Sequence, residues 1–219
     1  MVLRRLMRNF LRKKKIKLVI EVRRFQNSKN GCLGVWARRA RTILTNTTME
    51  FSEVIKNRVS VRQYNGKKVS EKDVAEILET MQLAPTAGHK QAYRIRVITD
   101  EGEIARVGKG AGQVDRFKGA SAMIVFFVEP AVAEERFGDR GRELYCLQDA
   151  TLACAYAQLG AASVGVSSLW VGSFDEEDLM VMCGLEEQEG VWPVAVTLLG
   201  HTYEKPERSA RKDLKDLMV

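Results

Sequence analysis

The chain has 219 residues and a formal net charge of +7, a balance that normally suggests a nucleic acid or an anionic membrane as partner. The basic excess is confined to residues 1–48, which contain 14 Lys and Arg and one acidic residue, whereas residues 49–219 contain 21 basic and 27 acidic residues. The second segment therefore has the size and charge of an ordinary acidic domain, for which nucleic acid is an unlikely partner.

Residues 1–48 are predicted to be a basic N-terminal extension, either disordered or preceding a true translation start at Met49. Their apolar run Ile16–Ile20 is interrupted by Lys17 and is too short for a signal-peptide core or a membrane span. A transit peptide and a nucleic-acid or membrane tail stay open on composition. No membrane partner is expected for the remainder of the chain.

The four cysteines include no C-x-x-C pair, and the chain has two histidines. This composition predicts reduced, buried thiols in a cytoplasmic protein and gives no support to a metal site or a Ser-His-Asp triad. Cys146 and Cys154 are expected to share one helix.

The acidic domain is predicted to open with a short amphipathic segment at residues 51–56. A capping box at Ser70 and Asp73, followed by an apolar stripe, predicts a helix over residues 71–83. Strands are predicted over residues 94–99 and 122–128, and the second is apolar enough to be central in a sheet.

An alanine-rich helix is predicted over residues 144–162, followed by an extended segment at 164–171. Ser173 and Glu176 predict a second capping box, Gly184 a helix end, and residues 191–199 a last strand. Because helices and strands mix without a βαβ rhythm, the sequence predicts an α+β sandwich, with a mainly antiparallel or mixed central sheet flanked by helices.

Two basic clusters are the candidate binding residues. In an extended segment Arg58, Ser60 and Arg62 point the same way, and the arginine fork matches phosphate oxygens. Arg208, Arg211 and Lys212 form a second cluster near the other end. Together they predict one phosphate held from two sides, with a solvated charged turn as the alternative. The glycines at 108–112 lack the spacing of a dinucleotide fingerprint.

The order of motifs resembles the nitroreductase family over essentially all of residues 49–219. The motifs are Arg58-Val-Ser-Val-Arg-Gln-Tyr64, the loop Ala84–Tyr93, the helix beginning Leu147-Gln-Asp-Ala150, Ser168-Leu-Trp-Val-Gly-Ser-Phe-Asp175, and Leu199-Gly-His-Thr-Tyr203 with Arg211. The resemblance implies an intertwined homodimer with FMN at the subunit interface. It also implies ping-pong transfer of a hydride from NADH or NADPH to flavin N5, then of electrons to a small-molecule acceptor such as a nitroaromatic or a quinone.

The resemblance implies the roles of particular residues. Arg58, Ser60 and Arg211 match phosphate-contacting positions, within a segment that includes Val59. Arg62 matches a basic position near the ribityl chain and the N1/O2 edge, where a cation favours the reduced flavin. Val171 and Gly172 match backbone contacts to N5 and O4. No side chain is expected to be catalytic, since the flavin carries the chemistry.

The loop at 85–93 departs from the family pattern, because His89 stands where many members have Asn, and Ala92-Tyr93 replaces Pro-Trp. Flavin contact through His89 and Gln91 is expected on the resemblance, with a solvent-facing His89 and a structural Gln91 as alternatives. Asp149 and Trp170 are expected to be structural. Reductive dehalogenation, flavin breakdown, and a non-catalytic flavin- or nucleic-acid-binding module remain alternative functions, and residues 102–141 are the stretch that could supply a lid for the first two.

Overall fold

The computed structural model describes residues 49–219, so the expectations for residues 1–48 lie outside the described residues. The elements, in chain order, are α1 (Phe51–Asn57), α2 (Glu71–Gln82), a 3-10 turn (Ala87–His89), β1 (Tyr93–Ile98), α3 (Glu101–Gly110), α4 (Val114–Phe117), β2 (Ala122–Val128), α5 (Pro130–Arg140), a π-helical turn (Gly141–Tyr145), α6 (Cys146–Ser163), β3 (Ser167–Val171), α7 (Glu176–Cys183), β4 (Trp192–Gly200) and a 3-10 turn (Leu214–Asp216).

The four strands form one sheet in the order β1-β2-β4-β3, and each neighbouring pair is antiparallel. This confirms the predicted α+β class and the mainly antiparallel sheet. Strand β2 is buried at all of its positions and lies in the interior of the sheet, as its apolar sequence predicted. Strand β3 is at one edge, where Ser168 makes an isolated parallel bridge to Ser60.

Helices cover both faces of the sheet, and the two larger of the three apolar clusters among the described residues lie between the sheet and these helices. One core packs α2 and α6 against one face, and the other packs α3, α4 and α7 against the opposite face. The small residues of α6 allow close approach, because a Cβ added at Gly160 would lie 2.9 Å from Cβ of Thr80 in α2. The alanine-rich helix is therefore a largely buried element of the domain.

The helix ends show which local signals were sufficient. Helix α2 begins as predicted, with the Ser70 hydroxyl oxygen accepting a hydrogen bond from the Asp73 N–H at 3.1 Å. The capping box predicted at Ser173 and Glu176 is wrong, because Asp175 is the N-cap of α7 and accepts from the Asp178 N–H at 2.9 Å. Asp175 directly precedes the helix, where a short carboxylate reaches the free amides.

Residues 102–141 supply most of α3 and all of α4, the interior strand β2 and α5, so this stretch belongs to the framework of the domain rather than to an added lid. Within residues 49–219, no helix is both long and apolar enough to cross a bilayer.

Candidate functional site

The basic segment after α1 is held against the edge of the sheet by its apolar residues. The Val61 side chain is 2% exposed, and its N–H donates to the Ser168 carbonyl oxygen at 3.0 Å. The ring of Tyr64 lies over Gly200, where an added Cβ would approach Cδ1 of that ring to 2.7 Å. With Val61 facing inward, alternation along the segment turns Ser60 and Arg62 outward.

Arg58 lines a cavity of about 240 Å³ between α1, the end of α6 and β3. The other lining residues are Met49, Asn57, Val59, Val61, Ala162, Gly165, Val166, Ser167, Ser168, Thr202, Glu204 and Pro206. The cavity therefore joins the segment around residue 58 to the segment that follows β4, which come from opposite ends of the described chain.

The two basic clusters approach each other at this cavity. Burial lowers the pKa of the Arg58 guanidinium, and the charges of Arg208 and Arg211 lower it further. Within residues 49–219 no carboxylate lies within ion-pair distance of these three arginines. Like charges held together without a counter-ion repel one another, so the cluster is suited to bind an anion.

The edge strand β3 leads from Ser168, which lines the cavity, to a candidate backbone donor at Gly172. The Ser168 carbonyl points away from β4, at the open edge of the sheet, and accepts from Val61. Because the backbone groups of successive strand residues alternate in direction, those of Val171 point toward β4, where Val171 pairs with Val196. Gly172, the first residue beyond the strand, is exposed and lies about 13 Å along the strand direction from Ser168. Of the two predicted backbone contacts, Gly172 is therefore the better placed.

The loop Ala84–Tyr93 is fixed by a buried carboxylate of α6. The two oxygens of Asp149 accept hydrogen bonds from the N–H groups of Ala87 and Ala92, at 2.8 and 3.1 Å. Burial raises the pKa of Asp149, and the two amide bonds oppose that shift. Asp149 is thus structural, as expected, and it acts by holding this loop.

Helix α5 holds the other side of the loop. Nη1 of Arg136 donates to the Gly88 carbonyl oxygen at 3.0 Å, and Nζ of Lys90 lies 2.7 Å from Oε2 of Glu135. Gly88 has φ of 53°, and an added Cβ there would lie 2.7 Å from both Arg136 and Phe137. The loop is therefore fixed at its backbone between two helices.

His89 and Gln91 are both held in the left-handed region, with φ of 57° and 52°. This conformation is uncommon for residues other than glycine and costs roughly 1–3 kcal/mol each where it is maintained. The His89 side chain is exposed and Gln91 is half-buried, while the Gln91 N–H donates to Oγ1 of Thr86 at 3.3 Å. Strain of this kind is concentrated at functional loops.

Within one chain the structure separates the expected contacts into two groups. Asp149 holds the loop at the start of α6, whereas Ala162, near the end of α6, lines the cavity with Arg58. A rise of 1.5 Å per residue places these two positions about 20 Å apart. His89 and Gln91 therefore lie remote from Arg58, Ser60, Arg62 and Arg211 of the same chain.

Sequence reasoning missed several residues that build the site. The contacts of Arg136 and Glu135 to the loop join elements distant in the chain, and no local signal marks them. The hydrogen bonds of Arg208 to the end of α1 were also missed, although its position in a basic cluster had drawn attention to it. Trp170 packs against the core beneath α6, as expected for a structural aromatic.

The chain belongs to the nitroreductase family, whose family model matches residues 55–113 and 105–201. It is 27% identical over 131 residues to the "Putative NADH dehydrogenase/NAD(P)H nitroreductase" of Archaeoglobus fulgidus, covering 60% of this chain and 72% of that protein. A nitroreductase family protein of Clostridium difficile superposes with a TM-score of 0.67 at 26% identity, over 78% of this chain and 98% of the other.

The fold is shared with further solved structures. The nitroreductase family protein of Streptococcus pneumoniae has a TM-score of 0.70 at 20% identity and covers 78% of this chain and 99% of its own. The NADPH:FMN oxidoreductase of Vibrio harveyi has a TM-score of 0.69 at 18% identity, over 77% and 76% of the two chains.

This membership makes the chain an NAD(P)H-dependent oxidoreductase whose cofactor is FMN. The residues present fit that cofactor, because the uncompensated arginine cluster offers cationic donors to a phosphate that carries nearly two negative charges.

Proposed function

We propose that two copies of this chain form an enzyme in which each FMN lies between the subunits. The observation that carries the proposal is the approach of Arg58 to Arg208 and Arg211 without a neutralising carboxylate in residues 49–219. In this arrangement Arg58, Arg211 and the Ser60 hydroxyl bind the phosphate, with the Val59 backbone alongside.

Further residues of the same subunit orient the rest of the cofactor. Arg62 is exposed two residues beyond Ser60, and it would supply positive charge to the N1/O2 edge of the ring. Gly172 would supply the principal backbone donor to the N5/O4 edge, and Val171, whose own backbone groups pair with β4, would position it at the end of the strand. A fixed cation and a fixed amide stabilise negative charge on the ring without reorganising during the reaction.

The second subunit completes the site. Since the loop that carries His89 and Gln91 is held at the start of α6, and Arg58 lies near the end of α6 about 20 Å along the helix, a partner is needed to bring such a loop to the same flavin. Large apolar side chains are available for that association, with Phe51 72% exposed on α1 and Leu217 and Met218 64% and 76% exposed near the C-terminus. A homodimer places these surfaces against each other.

FMN, when bound, would accept a hydride from NADH or NADPH and then pass electrons to a nitroaromatic, a quinone or a similar acceptor, in a ping-pong order. The name of the Archaeoglobus relative supports NAD(P)H as the donor. The buried thiols of Cys146, Cys154 and Cys183 support a reducing, cytoplasmic location.

The test is to purify the full chain and examine its colour, its bound flavin after denaturation, and its mass by light scattering. The proposal expects a yellow dimer that releases FMN, is bleached anaerobically by NADH or NADPH, and regains colour with a quinone. A colourless monomer that takes up no added FMN would overturn it. Flavin that neither nicotinamide reduces would favour a binding module.

A further inference from the structure

The side chain of Arg208 is used differently from those of Arg58 and Arg211. Its Nη2 lies 2.6 Å from the carbonyl oxygen of Ile55, 3.1 Å from that of Lys56 and 3.0 Å from that of Arg58. The carbonyl groups at the end of a helix lack partners within it, and a cation there also interacts favourably with the helix dipole. Arg208 therefore caps the C-terminal end of α1.

This cap is also the attachment of the C-terminal segment. Among the described residues, Arg208 supplies the only hydrogen bonds that join residues 205–219 to the rest of the domain. The other hydrogen bonds of that segment are internal, within the 3-10 turn Leu214–Asp216. Loss of the Arg208 side chain would therefore remove every hydrogen bond between this segment and the rest of the described domain.

Arg208 lies next to both other arginines of the cluster, Arg58 and Arg211. One of the three acceptors is the carbonyl oxygen of Arg58, so the cap fixes the backbone of that residue. On the other side, Arg211 follows Arg208 by three positions and is brought close enough to Arg58 for their charges to interact. A repulsion among three cations opposes this closed arrangement, and a bound anion relieves it.

We propose that Arg208 is a positioning residue that holds the C-terminal segment against α1, so that Arg211 reaches the phosphate of FMN. This inference rests on the proposed function. Arg208 itself donates its hydrogen bonds to the carbonyl groups at the end of α1 and, in this proposal, does not contact the phosphate. It acts on the phosphate end of the cofactor alone, and phosphate binding and closure of the segment favour each other.

The test compares Arg208→Ala and Arg208→Lys with the wild type in the full chain, measuring binding of FMN and of riboflavin, which lacks the phosphate. Arg208→Ala should weaken FMN binding about tenfold, the effect of losing an interaction with a charged group, and leave riboflavin binding unchanged. Arg208→Lys should recover part of the loss. The matched control is Lys205→Ala, which removes one exposed cation from the same segment.

Amide hydrogen exchange of residues 203–219 gives a readout besides affinity. FMN should protect this segment in the wild type and in Lys205→Ala, riboflavin should not, and Arg208→Ala should abolish the protection. Unchanged FMN affinity in Arg208→Ala, or equal loss of FMN and riboflavin, would overturn the inference. A wild type that binds neither ligand would instead overturn the proposed function.

Discussion

The two ends of α6 carry two parts of the site that are built by different means. At its start, the loop Ala84–Tyr93 is fixed by hydrogen bonds to the buried carboxylate of Asp149 and by contacts from α5. At its end, the cluster of Arg58, Arg208 and Arg211 is a set of like charges on half-exposed and exposed segments. The first part is held by hydrogen bonds, whereas the second brings together like charges that repel one another.

This difference predicts which substitutions change the stability of the domain and which change its affinity for the cofactor. Substitutions in the loop and its supports should lower the stability of the domain, because buried groups lose partners. Substitution of Arg58 or Arg211 should lower affinity for the cofactor, while the free energy of unfolding without the cofactor stays the same or rises because repulsion between like charges is removed.

The largest expected effect is that of Asp149→Ala. The substitution leaves the N–H groups of Ala87 and Ala92 without their acceptor, and unsatisfied buried donors cost roughly 1–3 kcal/mol each. The free energy of unfolding should fall by about 3 kcal/mol, measured by urea denaturation. Asp115→Ala, at an exposed position of α4, is the control and should change little. An Asp149→Ala domain as stable as the wild type would show that the loop has other sufficient supports.

Next in size are Arg58→Ala and Arg211→Ala. In the proposed site each variant lacks a charge-assisted bond to the phosphate, so FMN binding should weaken by roughly 1.5–3 kcal/mol and riboflavin binding should be unaffected. Titration of the apoprotein with each flavin measures both quantities. Arg106→Ala, on the opposite face of the sheet, removes the same charge and should leave FMN affinity unchanged. Unaltered FMN affinity in both cluster variants would show that the two clusters do not share one ligand.

The sequence was sufficient where local physics decides the outcome. We could predict three features without coordinates: the cap at Ser70, the burial of the all-apolar β2, and the suitability of Arg58 and Arg211 for a phosphate. Each depends on neighbouring residues or on the intrinsic chemistry of the side chain. The left-handed backbone of His89 and Gln91 and the contacts of Arg136 and Arg208 depend on elements far apart in the chain. The misplaced cap at Ser173 shows the limit within a short segment, since Asp175, two residues further on, caps the helix instead.

A smaller effect is expected for Gly88→Ala, compared with Gly66→Ala. Both glycines have positive φ, at 53° and 77°, so a Cβ is strained at either position, but only at Gly88 would it meet Arg136 and Phe137. Gly88→Ala should therefore destabilise the domain by about 1 kcal/mol more than Gly66→Ala. If both variants lost the same stability in thermal unfolding, the side chains of α5 would have moved to make room for the Cβ. The loop would then be held mainly by Asp149.

The smallest expected effect is that of Lys90→Ala. Its pair with Glu135 joins the loop to α5 at 2.7 Å, yet the Glu135 side chain is 64% exposed, and exposed pairs are typically worth 0.2–1 kcal/mol. The loss of stability should stay below about 1 kcal/mol and shrink further in 1 M salt, where charges are screened within about 3 Å. A larger loss that salt does not reduce would mean that the Lys90 side chain supports the loop by packing, and the contrast between a charge-built cluster and a hydrogen-bonded loop would then be sharper than the ion pair suggests.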